Sequence, residues 1–181
     1  MKSIGISLVF LFCLAFASCL GFNYDVTVLV DFDQKAFRTQ RDMWLASRPA
    51  NYRFHLKDLT GGEYFADTII TVRNNEFVSH EWQHMFQWDS SVEKMFAVTV
   101  DDIYDSIMDD YLYYHGNTFK SNDSYLKSIA VKYDKDSHIP VRITYQYYMP
   151  DGTADAIDLW IRTIQTFEVL EDIEEFTDLN R

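Results

Sequence analysis

Twice along this chain the spacing of apolar residues changes from about 3.6 to about 2, and that double switch restricts the fold more than any other feature. From about Asp33 to Ser47, Phe37, Trp44 and Leu45 recur at helical spacing, with Lys35, Arg38 and Asp42 on the other side. Asp33 can cap this helix and Pro49 ends it. Tyr52, Phe54 and Leu56 then alternate with Arg53, His55 and Lys57, the pattern of a half-buried strand. Gly61-Gly62 makes a loop, and Ala66, Thr68, Ile70 and Val72 share one face of a second strand. Asn74-Asn75 tolerates positive φ and suits a tight hairpin turn, after which Phe77 and Val78 open a third strand.

The helical period returns at Thr99, where Asp102 stands as a capping-box partner and Val100, Ile103, Ile107 and Tyr111 form an apolar stripe. This helix ends near His115-Gly116, and residues 117–124 read as polar loop. Ile129, Val131 and Tyr133 follow at strand spacing, then Val141, Ile143, Tyr145 and Tyr147 after an Asp134-Lys135-Asp136-Ser137 turn. Pro150-Asp151-Gly152 turns the chain into a last strand carrying Ile157, Leu159, Ile161, Phe167 and Val169. The expected fold is α+β. It is an antiparallel sheet of about six strands in two three-stranded runs, each preceded by a helix, with the helices packed on one face.

The first residues read as an export signal. Lys2 is followed by an apolar run from Ile4 to Ala17, which is shorter than the ~20 residues that span a bilayer. Ala15-Phe16-Ala17 offers an ordinary signal-peptidase site, whereas Phe16-Ala17-Ser18-Cys19 resembles a bacterial lipobox. The chain has two cysteines, Cys13 and Cys19, both in this leader, so cleavage before Cys19 leaves one cysteine where a lipid would be attached. The expected layout is a lipoprotein-type signal over 1–18, a linker or edge segment over 19–31, one α+β domain over 32–170 and an acidic tail over 171–181. The expected location is the cell envelope, with the chain lipid-anchored to a bacterial membrane; simple secretion or a periplasmic location is the alternative.

About 160 residues then remain, enough for one domain with a real core. Twelve Tyr, fourteen Phe and four Trp favour a folded, strand-rich protein over a disordered one. The net charge of −12 and the lack of any Lys/Arg cluster exclude binding to a nucleic-acid backbone. The same charge repels anionic headgroups, which leaves the anchor as the expected membrane contact.

The order of Trp44, Asn51-Tyr52-Arg53-Phe54, Ile70-Thr71-Val72, Asn74-Asn75 and Val78-Ser79 continues into the run from Thr99 to Ile107, then Val131-Lys132-Tyr133-Asp134 and Ile139-Pro140. Together these residues resemble the uncharacterised bacterial family called domain of unknown function 6174, over about Phe32 to Phe167. The resemblance implies a small exported protein, often a lipoprotein. It lends no activity.

One motif points to chemistry. His80-Glu81-Trp82-Gln83-His84 matches H-E-x-x-H, which on a helix places two histidines on one Zn²⁺ and a glutamate beside the metal-bound water as general base. Glu93 or His115 would complete the ligand set, making the alternative a zinc metallopeptidase with Glu81 catalytic. The motif follows a hairpin turn closely, however, and a strand there puts His80, Trp82 and His84 on one face and Glu81 on the other. The expected function is therefore a non-enzymatic binding or structural module without a cofactor, and a small-ligand carrier is a further alternative. Its partner is an unknown envelope protein or a small ligand. Tyr145, Tyr147 and Tyr148, or the Asp-rich helix through Asp105 and Asp109, would form the binding surface, although five aspartates on one helix read first as a solvated face.

Overall fold

The computed structural model describes residues 23–60, 63–84, 96–149 and 157–171. The signal segment with Cys19, Glu93, the turn at Pro150 and the tail after Glu171 lie outside the described residues. In chain order the elements are β1 (Asp25–Thr27), α1 (Gln34–Ser47), β2 (Tyr52–Thr60), β3 (Glu63–Arg73) and β4 (Glu76–His84). Then come α2 (Val100–Tyr114), β5 (Thr118–Lys120), β6 (Tyr125–Tyr133), β7 (Pro140–Tyr148) and β8 (Ile157–Val169).

Six strands form one sheet in the order β4-β3-β2-β8-β7-β6, every neighbouring pair antiparallel. It consists of two three-stranded meanders fused where the first strand of one, β2, pairs with the last strand of the other, β8. The α+β expectation holds at that level. The expected element order does not: β1 precedes α1, β5 follows α2, and the two pair as a second, small sheet. Asp25–Thr27, within the expected linker or edge segment, and Thr118–Lys120, within the expected polar loop, form strands because Val26 meets Phe119 across the chain, a partnership that local pattern cannot express.

Both helices lie on one face of the large sheet. Asp33 caps α1 by accepting the Ala36 N–H at 2.9 Å. Thr99 and Asp102 cap α2 reciprocally, the Asp102 N–H donating to Thr99 Oγ1 at 3.1 Å and the Thr99 N–H to Asp102 Oδ2 at 2.7 Å. The helices run antiparallel, as their cross-links show: Gln34 with Tyr111, Arg41 with Asp105, and Trp44 with Asp101. Phe37 meets Tyr104 edge-on, and Trp44 is wedged at right angles to Tyr52 and Phe167. Ile103 and Ile107 of α2 and Leu56, Ile70, Leu126 and Ile143 of the sheet are shut off from water in the same core. Each such side chain contributes roughly 1.5–3 kcal/mol by leaving water. The β3–β4 hairpin turns through Asn74 and Asn75 at φ 53° and 63°, the left-handed pair that a tight turn requires.

Candidate functional site

The H-E-x-x-H residues lie on β4, within described strand through His84, so the helical geometry of a zinc peptidase is not formed. His80 and Trp82 pair with Ile70 and Thr68, whose side chains are buried on the helix side. Glu81 pairs with Ile69 and belongs to the opposite face. The register then slips by one residue at Gln83, and His84 falls across from Asp67. The expectation that His84 would share a face with His80 and Trp82 is thereby corrected: a bulge reverses it. His80 packs between the rings of Phe77 and Trp82. His115, the other candidate ligand, accepts the Val30 N–H through Nδ1 at 3.1 Å and stacks on Tyr111. Among the described residues no group of three or more His, Cys, Asp or Glu side chains is placed to hold a metal ion.

On the face turned away from the helices, one Asp67 oxygen contacts His55 Nε2 and the other contacts Lys57 Nζ at 3.0 Å. Burial raises the Asp67 carboxyl, but the bonds from His55 and Lys57 outweigh it and hold the group below its ordinary range. A carboxylate with both oxygens engaged is poorly placed to take a proton from a substrate. The cluster ties β2 to β3.

A second charged group went unnoticed in the sequence. Asp58 is fully buried, and Arg162 grips it through Nε and a terminal nitrogen at 2.9 and 2.8 Å. The Trp160 ring lies 5.3 Å from the guanidinium, and the Tyr145 hydroxyl bonds to Asp110 of α2 nearby. A signal existed: Asp58 continues the inward alternation of Tyr52, Phe54 and Leu56.

The expected binding surface divides. Tyr145 is 2% exposed and belongs to the core, which corrects its assignment to a surface. Tyr147 is half-buried against Tyr114, and Tyr148 stacks on Tyr125 at 4.8 Å. The aspartates of α2 are mostly engaged within the fold: Asp101 with Trp44 and Arg48, Asp102 in the cap, Asp105 with Arg41, and Asp110 with Tyr145. Asp109 faces solvent.

Among the described residues, a concave feature beside an unpartnered strand edge lies at β6. Asp31 pairs briefly with β6, its N–H donating to the Lys127 carbonyl and its carbonyl accepting the Ile129 N–H, both at 2.9 Å. At Asp33 the chain turns away into α1. The outward backbone of Val131, two residues beyond Ile129, is left without a strand partner among the described residues because β6 is the edge of the described sheet there. A groove of about 370 Å³ opens at this point, lined by Asp31, Phe32, Asp33 and Ala36 on one side and by Ser128–Val131 and Tyr133 on the other. Burial, and secondarily the charge of Asp33, raises the Tyr133 phenol and keeps it neutral.

No protein-family model matches the chain, and no curated protein matches it either.

Proposed function

We propose that this chain is an exported protein, held at a bacterial membrane by a lipid on Cys19, that acts as a binding module and not as an enzyme. The sequence resemblance to domain of unknown function 6174 supports the export and the lipid anchor alone. Its ligand is an extended segment of an envelope protein that adds to the β6 edge and carries a Lys or Arg beside Asp31 and Asp33. The observation that carries the reading is the backbone of Val131, without a strand partner among the described residues, opening onto an acidic groove. Strand addition draws affinity from main-chain hydrogen bonds and specificity from alternate side chains. The net charge of −12 favours a basic partner.

A random peptide library selected on the purified mature protein supplies probes, whose affinity is then measured by fluorescence anisotropy. Val131→Pro removes the outward N–H while leaving the β7-facing pairing of Ala130 and Lys132 in place, since an edge strand tolerates proline on its solvent side. Selected peptides should contain a basic residue and lose at least about tenfold in affinity for this variant, equal to about 1.4 kcal/mol. Peptides that bind wild type and an equally stable Val131→Pro alike would refute the groove as the site.

A further inference from the structure

Among the described residues Met43, Leu45, Val78, Leu159 and Val169 are exposed at separate places on α1 and the large sheet, whereas four other exposed apolar side chains lie together. Tyr24 is 64% exposed, Leu29 73%, Leu112 60% and Tyr113 64%, and all four belong to one end of the molecule. Tyr24 is held to Ser121 just beyond β5, its carbonyl accepting the Ser121 N–H at 2.8 Å. Leu29 lies between Val28, whose backbone bonds Gly116 and Asn117, and Val30, whose N–H bonds His115. Leu112 and Tyr113 form the last turn of α2, where the Tyr113 ring meets Phe119 of β5. The small β1–β5 sheet thus gathers these residues beside the point where the described chain begins.

That point is also the end of the tether. Cys19 is four residues before Asn23, a reach of about 14 Å at full extension. A lipid on Cys19 would therefore hold this end, and no other, at the bilayer surface. At this end Asp25 is paired with Lys120 at 2.5 Å and Asp123 beside them is exposed, so the contact suits a zwitterionic rather than an anionic surface. Tyrosine, with an apolar ring and a polar tip, is the residue type that settles at the headgroup level.

We infer that Tyr24, Leu29, Leu112 and Tyr113 rest in the headgroup layer of the membrane that carries the anchor. The inference deepens the proposed function and rests on lipidation of Cys19. It fixes an orientation: β6 runs from Tyr125 at the membrane end to Tyr133, about 26 Å along the strand, so the β6–β7 turn points away from the bilayer.

The test uses the mature protein purified from membranes and reconstituted in phosphatidylcholine vesicles containing a headgroup-level nitroxide lipid. An environment-sensitive dye is placed at Tyr113→Cys or, as the distal control, at Lys135→Cys. Quenching should be several-fold stronger at 113, with a blue-shifted emission that is absent at 135. Equal quenching at both positions, with an acylated N-terminal cysteine found by mass spectrometry, would overturn the membrane contact while leaving the anchor standing. A mature N-terminus without acyl chains would overturn the anchor and the inference with it.

Discussion

Asp58 and Arg162 stand directly across from each other on β2 and β8 and share two hydrogen bonds, with Asp58 wholly withdrawn from water. Burying such a pair has a large desolvation cost, and removing one partner leaves an uncompensated charge. Asp58→Leu and Arg162→Met should each lose about 3–5 kcal/mol in urea denaturation, whereas the two combined should lose much less than their sum. Additive losses would mean that the two groups do not depend on each other.

Asp110 lies close to this pair. Burial raises its carboxyl above the ordinary carboxylate range, against the opposing pull of the Tyr145 hydroxyl and the Arg162 charge. The folded state therefore holds the Asp110 proton more tightly than the unfolded state does. This contribution is fully present below the unfolded pKa and fades as pH rises through the raised folded value. Asp110→Asn should remove that dependence, gaining stability relative to wild type between about pH 4 and about pH 7. Urea midpoints at the two pH values decide it, and parallel curves for the two proteins would contradict the assignment.

The start of α2 depends on a reciprocal cap. Thr99→Ala deletes the acceptor for the Asp102 N–H and should cost about 1 kcal/mol, up to about 2. Thr39→Ala, which removes only an exposed bond to the Lys35 carbonyl, is the control and should change stability by less than about 0.5 kcal/mol. Thermal melts of the two variants separate the cases.

The strand at His80–His84 makes a prediction about metal. Glu81 lies on the face opposite His80, so His80→Ala and His84→Ala should leave the zinc retained after dialysis against trace zinc unchanged. Near-stoichiometric zinc lost in both variants, with peptidase activity abolished by Glu81→Gln, would require a different conformation of this segment in solution.

Much of the fold was legible because helix and strand leave different periods on the chain. Phe37 with Trp44, the Thr99–Asp102 box and the Asn74-Asn75 turn each act within a few residues, so the sequence by itself determined the two helices, the six long strands and most of the faces they bury. On β8 it did not: the alternation predicts Ile157, Leu159 and Ile161 on one side with Phe167 and Val169, but a bulge at Gln165 separates the two groups, leaving Leu159 exposed and burying Arg162 and Ile164. Tertiary structure decided whatever depends on partners far apart in the chain. The β1–β5 sheet exists through residues more than ninety positions apart, and Asp58 meets Arg162 across a separation of 104. The α2 aspartates read locally as a solvated face, yet Asp101 and Asp105 are engaged by α1. Tyr145 alternates with Ile143 on the apolar side of β7 and is buried with it, so the alternation itself argues against a surface role. His84 changed faces through a single extra residue at Gln83, because a strand's period of 2 makes every later side chain depend on register. The β6 groove arises where Asp31 leaves the sheet edge and α1 begins, a juxtaposition written in no local segment.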